Sequence, residues 1–197
     1  MAWNPSDKSS GITLSVGNTV ATTADASAIY SVRGTTSRST GKYMVSFSNV
    51  VLTDLDGFVG VGDGTVPLGT ASGNQGWAAL FPGGAGVSAY FFNKFNYYQD
   101  GPVITTSPFT LDICVDFGGL LAWVRVNGGN WNGSGGANPA TGSGGHPVDT
   151  STAKFPMVAL HGTGATATIN TNPSSPPSGF VAWDSAPVPK IQAAIVN

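Results

Sequence analysis

Between Phe109 and Phe117 every second position is apolar: Phe109, Leu111, Ile113, Val115 and Phe117 interleave with Thr110, Asp112, Cys114 and Asp116. A period of two places these side chains on one face of a strand, and no helix can do the same because its faces repeat every 3.6 residues. Shorter copies occur at Ile12, Leu14 and Val16, at Tyr43, Val45 and Phe47, and at Ala165, Ala167 and Ile169, each bounded by Gly, Asn or Pro. Further strands are expected at Ala28–Arg33, Phe58–Val61, Trp77–Phe81, Val87–Phe92, Leu120–Val126 and Met157–Leu160.

No window of the chain holds a helical period, and all ten acidic residues are Asp, so the strong helix former Glu is absent. Many short strands separated by Gly-rich turns imply an all-β fold with very little helix, two antiparallel sheets packed face to face as a sandwich. The 197 residues suit one such core, and 41% hydrophobic content supplies the apolar surface it needs. Asp116-Phe117-Gly118-Gly119-Leu120 reads as a hairpin turn whose glycines supply positive φ. Asn127 to about Pro147, rich in Gly, Ser and Asn, reads as a long loop.

Charged residues make up only 9% of the chain, eight basic against ten acidic, while 28 glycines and many Ser, Thr and Asn carry the polarity. Such a surface lacks the cations that neutralise phosphates, which excludes a nucleic-acid partner. Met1-Ala2-Trp3 is not followed by the charged and apolar regions of a signal peptide, and no apolar run is long enough to cross a bilayer. A chain without export signal or membrane insertion is expected.

Catalytic groupings are sparse. Two distant histidines, His146 and His161, and one cysteine, Cys114, offer neither a nucleophile and base motif nor a zinc ligand set, so no metal and no cofactor is expected. Asp112 and Asp116 lie four apart on one strand face, where they serve as solubilising residues rather than a glycosidase pair. Asp54-Leu55-Asp56-Gly57, with Asp63, has some oxygen ligands of a calcium loop, but Asp-Gly is above all a turn dipeptide. The chain is expected not to be an enzyme.

Two aromatic regions stand out. Tyr90-Phe91-Phe92-Asn93-Lys94-Phe95-Asn96-Tyr97-Tyr98 alternates poorly, and Trp131 stands between Asn130 and Asn132. Asn96, Tyr97, Tyr98, Asn130, Trp131 and Asn132 are candidates for a glycan or partner surface, because a sugar ring stacks on aromatics and bonds to amides. The alternative is that these rings pad the sandwich edge or meet another subunit. After Trp183 the prolines Pro187 and Pro189 break any ladder before the apolar stretch Ile191-Gln192-Ala193-Ala194-Ile195-Val196. The expected organisation is a sandwich over 1–184 and an extended arm over 185–197, with Ile191, Ile195 and Val196 as assembly contacts, in cis or in trans.

Gly41-Lys42-Tyr43-Met44-Val45-Ser46-Phe47 followed by Gly57-Phe58-Val59-Gly60-Val61-Gly62 resembles the early signature of SPRY domains. Leu111 to Gly128 resembles their central hairpin, and Phe155–Leu160, Ala167–Asn170 and Pro177–Phe180 resemble their terminal pattern. The resemblance runs from about Gly11 to Trp183. It implies a bent, concanavalin-like jelly roll used for binding rather than catalysis. The Gly-rich 130–147 stretch departs from cellular members and is closer to SPRY-like domains of bacteriophage structural proteins. That implies a virion structural protein, a capsid decoration or a tail or fibre component. Its partners would be other virion proteins or copies of itself, and a host surface glycan. A glycan-binding module or a peptide-binding adaptor is the alternative.

Overall fold

A computed structural model describes residues 2–25, 27–53, 57–65, 67–69, 101–148 and 152–186, and the strands at 76–81, 90–93 and 96–98 as backbone. It is the expected sandwich. The strands are β1 (Trp3–Lys8), β2 (Ile12–Ser15), β3 (Val20–Thr23), β4 (Tyr30–Gly34), β5 (Lys42–Val51), β6 (Phe58–Asp63), β7 (Gly76–Phe81), β8 (Tyr90–Asn93) and β9 (Asn96–Tyr98). They continue with β10 (Phe109–Asp116), β11 (Leu121–Val126), β12 (His146–Pro147), β13 (Lys154–Leu160), β14 (Thr166–Asn170) and β15 (Val181–Ala182). One sheet has the order β1-β4-β13-β6-β7-β8-β9, the other β12-β11-β10-β5-β14-β3-β2, with β15 parallel to β5 where β14 has ended.

The inner faces meet as the alternation dictates. Tyr43, Val45 and Phe47 from β5 and Leu111, Ile113 and Val115 from β10 face Val59 and Val61 from β6 and Val158 and Leu160 from β13. Trp3 spans the layers, stacked on Phe47 at 6.1 Å between ring centroids. The alternation in β5 changes phase after Phe47, so that Val50 is the next core residue. Asn49, in the left-handed region at φ 49°, is the cause. Phe109 pairs with Val50 but Leu111 with Phe47, and Thr166 with Val51 but Thr168 with Ser48. Both neighbours therefore skip one residue of β5, a bulge that Asn tolerates better than any other residue with a side chain.

Edges are blunted among the described strands. β1 carries Pro5, Asp7 and Lys8, β12 is two residues ending in Pro147, and the Lys8 ammonium donates to the Ile12 carbonyl of β2 at 2.8 Å. Such edges resist pairing with a stray strand.

One turn expectation changes, and Val16, expected on the strand face with Ile12 and Leu14, lies instead in a turn. The β10–β11 hairpin exists, but Gly118 and Gly119 do not supply the positive φ; Leu120 does, at 56°. The glycines instead pack against Asp116, whose Oδ1 accepts from both their N–H groups, and a Cβ on Gly119 would lie 2.8 Å from Asp116 Oδ2. In the β2–β3 turn Val16, Gly17 and Asn18 are all left-handed, and for the β-branched Val16 this costs about 1–2 kcal/mol.

Candidate functional site

On the outer face of the eight-stranded sheet the residues between the core positions form three cross-strand rows. Lys42 of β5 meets Asp116 of β10; Met44 meets Cys114 and then Trp123 of β11; Ser46 meets Asp112 and then Arg125. Unlike charges complete the two outer rows. Lys42 Nζ lies 2.8 Å from Asp116 Oδ2, Arg125 Nε lies 2.8 Å from Asp112 Oδ2, and the Ser46 hydroxyl donates to Asp112 Oδ1. Both aspartates are buried, which corrects the expectation that they are solubilising. The strand is covered on both faces.

The cover is the long loop, joined by Phe180 from the segment before β15. Trp131, Ala137 and Phe180 pack on Met44, Cys114 and Trp123 as a second apolar cluster. Trp131 is held under the Arg125 guanidinium at 4.4 Å, and Phe180 lies edge-on to Trp123 at 6.0 Å with Lys42 above it. The indole N–H of Trp123 donates to the Ser143 carbonyl at 2.8 Å.

Asn132 fixes this lid. β12 pairs only with Leu121 and Ala122, so the next outward N–H of β11, that of Val124, needs a partner. Asn132 Oδ1 accepts from it at 2.8 Å, while Nδ2 donates to the Gly144 carbonyl at 2.8 Å and reaches the Ala122 carbonyl at 3.5 Å. One side-chain amide thus extends the ladder as a peptide group would. Asn132 is only 4% exposed and sits at φ 47°, in a single 3-10 turn over Trp131–Gly133. Trp131 and Asn132 are therefore buried, and of the three neighbours only Asn130 is exposed. Asn96, Tyr97 and Tyr98 form β9, of which only the backbone is described. Asp54, Asp56, Ile191, Ile195 and Val196 lie outside the described residues.

A second constellation closes the end of the sandwich where β5 begins. Arg38 donates through Nε and Nη2 to the Trp183 carbonyl at 2.8 and 2.6 Å and through Nη2 to the Ser185 carbonyl at 2.7 Å, with its guanidinium 4.5 Å above the Tyr43 ring. The Trp183 indole returns a bond to the Thr36 carbonyl at 3.0 Å. Beside it, β13 and β6 bring Lys154 opposite Asp63, Nζ to Oδ2 at 3.1 Å, and both are buried. Burial raises the Asp63 pKa, but hydrogen bonds from Thr152, the Thr65 N–H and hydroxyl, and Lys154 outweigh it and hold the carboxyl far below the ordinary range. For Asp116 the same contest runs the same way, with Lys42 and the Gly118 and Gly119 N–H groups lowering its pKa against burial.

Cys114 is sealed under the lid. Its burial, and then the charge of Asp112, push the thiol pKa well up against the opposing effect of Arg125, so thiolate chemistry is suppressed. Among the described residues no three His, Cys, Asp or Glu side chains converge as metal ligands would. No described helix is long and apolar enough to cross a membrane. Sequence reasoning missed Arg38, Phe180 and the ladder role of Asn132. Asn at a left-handed position beside a strand was the available signal.

No family model matches the sequence, and comparison with curated proteins gave no match. Solved structures do match in fold. The SPRY domain of human HERC1 superposes with a TM-score of 0.62 at 13% identity, covering 85% of this chain and 96% of that one. The TRIM65 PSpry domain gives 0.61 at 13% identity, covering 86% and 90%. The fold is SPRY-like.

Proposed function

We propose that this chain is a non-catalytic interaction module that builds assemblies, a structural component of a bacteriophage virion in capsid, tail or fibre. Partners are copies of itself or other virion proteins. The observation that carries the reading is that the buried carboxylates of the described sandwich are tied up in internal ion pairs. The buried carboxylates Asp63, Asp112 and Asp116 are committed to ion pairs with Lys154, Arg125 and Lys42, and the one thiol is sealed. Among the described residues what remains for function is contact surface, a neutral polar exterior, and to it we add the residues that follow Ala186. The SPRY-like fold of the two solved domains supports a binding role. The assembly reading is favoured over the glycan alternative by Trp131, which is only 9% exposed and lies under Arg125.

The test is incorporation. Deleting 187–197 should leave the sandwich folded but abolish its uptake into purified particles. Uptake at the full-length level would remove the arm from the reading, and absence of the full-length chain from particles would remove the virion role.

A further inference from the structure

Two Asn-Gly pairs stand close together in the chain, Asn127-Gly128 and Asn132-Gly133. Their backbones match. Asn127 and Asn132 are left-handed at φ 49° and 47°, and Gly128 and Gly133 follow at 69° and 67°. Such a pair is open to one spontaneous reaction, attack of the glycine nitrogen on the amide carbon of the asparagine before it, because glycine has no side chain to hinder the approach. With sequence and local conformation equal, the surroundings decide where it proceeds.

Asn132 is locked. It is 4% exposed, its Oδ1 and Nδ2 each hold a partner at 2.8 Å, and the Gly133 N–H donates to the Asn130 carbonyl at 3.3 Å. Turning its side chain toward Gly133 would break the ladder bond to Val124. Asn127 is open. It and Gly128 are exposed, the Gly128 N–H has no hydrogen-bond partner among the described residues, and a Cβ built on Gly128 would meet nothing within 4 Å. Solvent base therefore reaches the nitrogen that must lose its proton. The Thr110 N–H donates to Asn127 Oδ1 at 2.8 Å, on the atom where negative charge develops when Cγ becomes tetrahedral. Nδ2 is tied only to the Thr106 hydroxyl at 3.2 Å, at an exposed site from which ammonia can leave. Bringing Cγ to the Gly128 nitrogen strains one turn bond, from the Gly129 N–H to the Val126 carbonyl at 2.9 Å.

We propose that Asn127 is a self-modification site, converted without an enzyme to aspartate and isoaspartate, while the fold protects Asn132. The Gly128 nitrogen gives its proton to solvent base and forms a bond to Asn127 Cγ. The Cγ–Nδ2 bond breaks, and Nδ2 takes up a proton from water and leaves as ammonia. Water then opens the five-membered imide, at Cγ to give aspartate or at the main-chain carbonyl to give isoaspartate. Nothing is oxidised or reduced, and water is the only co-reactant.

The new charge falls where the fold tolerates it. A carboxylate at 127 still accepts from the Thr110 N–H and can also accept from the Thr106 hydroxyl, and it makes the formal net charge more negative than −2 by one. The same conversion at 132 would set an oxygen against the Gly144 carbonyl beneath the lid.

The experiment incubates the purified full-length chain in mildly alkaline buffer made with heavy-oxygen water, with a second sample unfolded in urea. Fragment-ion mass spectrometry follows the exchange of amide for acid at each asparagine. In the native chain Asn127 should convert at least tenfold faster than Asn132, taking up one heavy oxygen and giving isoaspartate among its products. In urea the two should convert at similar rates, because only sequence then distinguishes them. Equal native rates, or a faster Asn132, would overturn the protection by the lid. Native conversion of Asn127 at least tenfold slower than in urea would show that its turn holds it and would overturn the site. Aspartate without isoaspartate would overturn the imide route. Asn127→Asp carries the product from the start and should unfold in urea at the midpoint of the parent, whereas a loss as large as that of Asn132→Asp would overturn the tolerance.

Discussion

Replacing Asn132 by Ala removes a side-chain amide that closes two strong hydrogen bonds, to the Val124 N–H and the Gly144 carbonyl, each at 2.8 Å. Water cannot readily replace it, because Asn132 is 4% exposed and Val124 is fully buried. A buried polar group left without a partner costs about 1–3 kcal/mol, and the left-handed φ of 47° adds a few tenths to about 1 kcal/mol for Ala over Asn. With two groups orphaned the sum is about 2–7 kcal/mol, a large share of the roughly 5–15 kcal/mol that holds an ordinary domain together. For a chain of this size it lowers the melting temperature by about 4–28 °C. The assay is urea unfolding followed by tryptophan fluorescence, which reports Trp123 and Trp131 on the two sides of the lid, with exposed Asn130→Ala as control. Asn132→Asp keeps the acceptor but points a second oxygen at the Gly144 carbonyl, so it should be at least as damaging at neutral pH. If Asn132→Ala unfolds within about 0.5 kcal/mol of the parent, like a plain surface change, the ladder role is refuted.

Other consequences follow from the same structure. Asp63 and Asp116 both have folded pKa values below the ordinary 3.9, so the stability they supply is complete above about pH 5 and is lost as pH falls through their folded values. Acid titration should show that loss, and Asp63→Asn should flatten it; an unchanged profile would count against the buried pair. Cys114 should resist a thiol reagent at pH 8 in the native protein and react at once in urea, and prompt native labelling would contradict the sealed lid. Lys154→Ala leaves Asp63 buried without its cation and should cost about 3–5 kcal/mol in a urea titration, whereas a loss below 1 kcal/mol would mean that water enters the site. Val16→Asn should stabilise the chain by about 1 kcal/mol in the same assay, and destabilisation would show that Val16 is not strained.

The strands that carry the inner core were legible because alternation depends only on which face meets the other sheet. β10 and the first half of β5 can be read residue by residue. The phase change at Asn49 could not, since the bulge is set jointly by β10 and β14, far away in sequence. The outer face was misread for a related reason. Asp112 and Asp116 look solvated when only their own strand is considered, and become buried once Arg125, Lys42 and the lid arrive from elsewhere in the chain. The lid resembled a free loop because its order comes from backbone acceptors and one amide, not from an apolar pattern. Trp131 looked available for the same reason, although Arg125, six residues earlier on β11, covers its ring. Arg38 carried no signal at all, because its partners are the carbonyls of Trp183 and Ser185.

The claim that this sandwich works by building with the residues after Ala186 is met most directly by the solution mass of the unmodified full-length chain. Sedimentation equilibrium over a range of concentrations should return a multiple of 19.9 kDa that falls to a single copy when 187–197 are removed. A full-length chain that stays at 19.9 kDa up to about 100 μM, where even weak assembly contacts register, would contradict it.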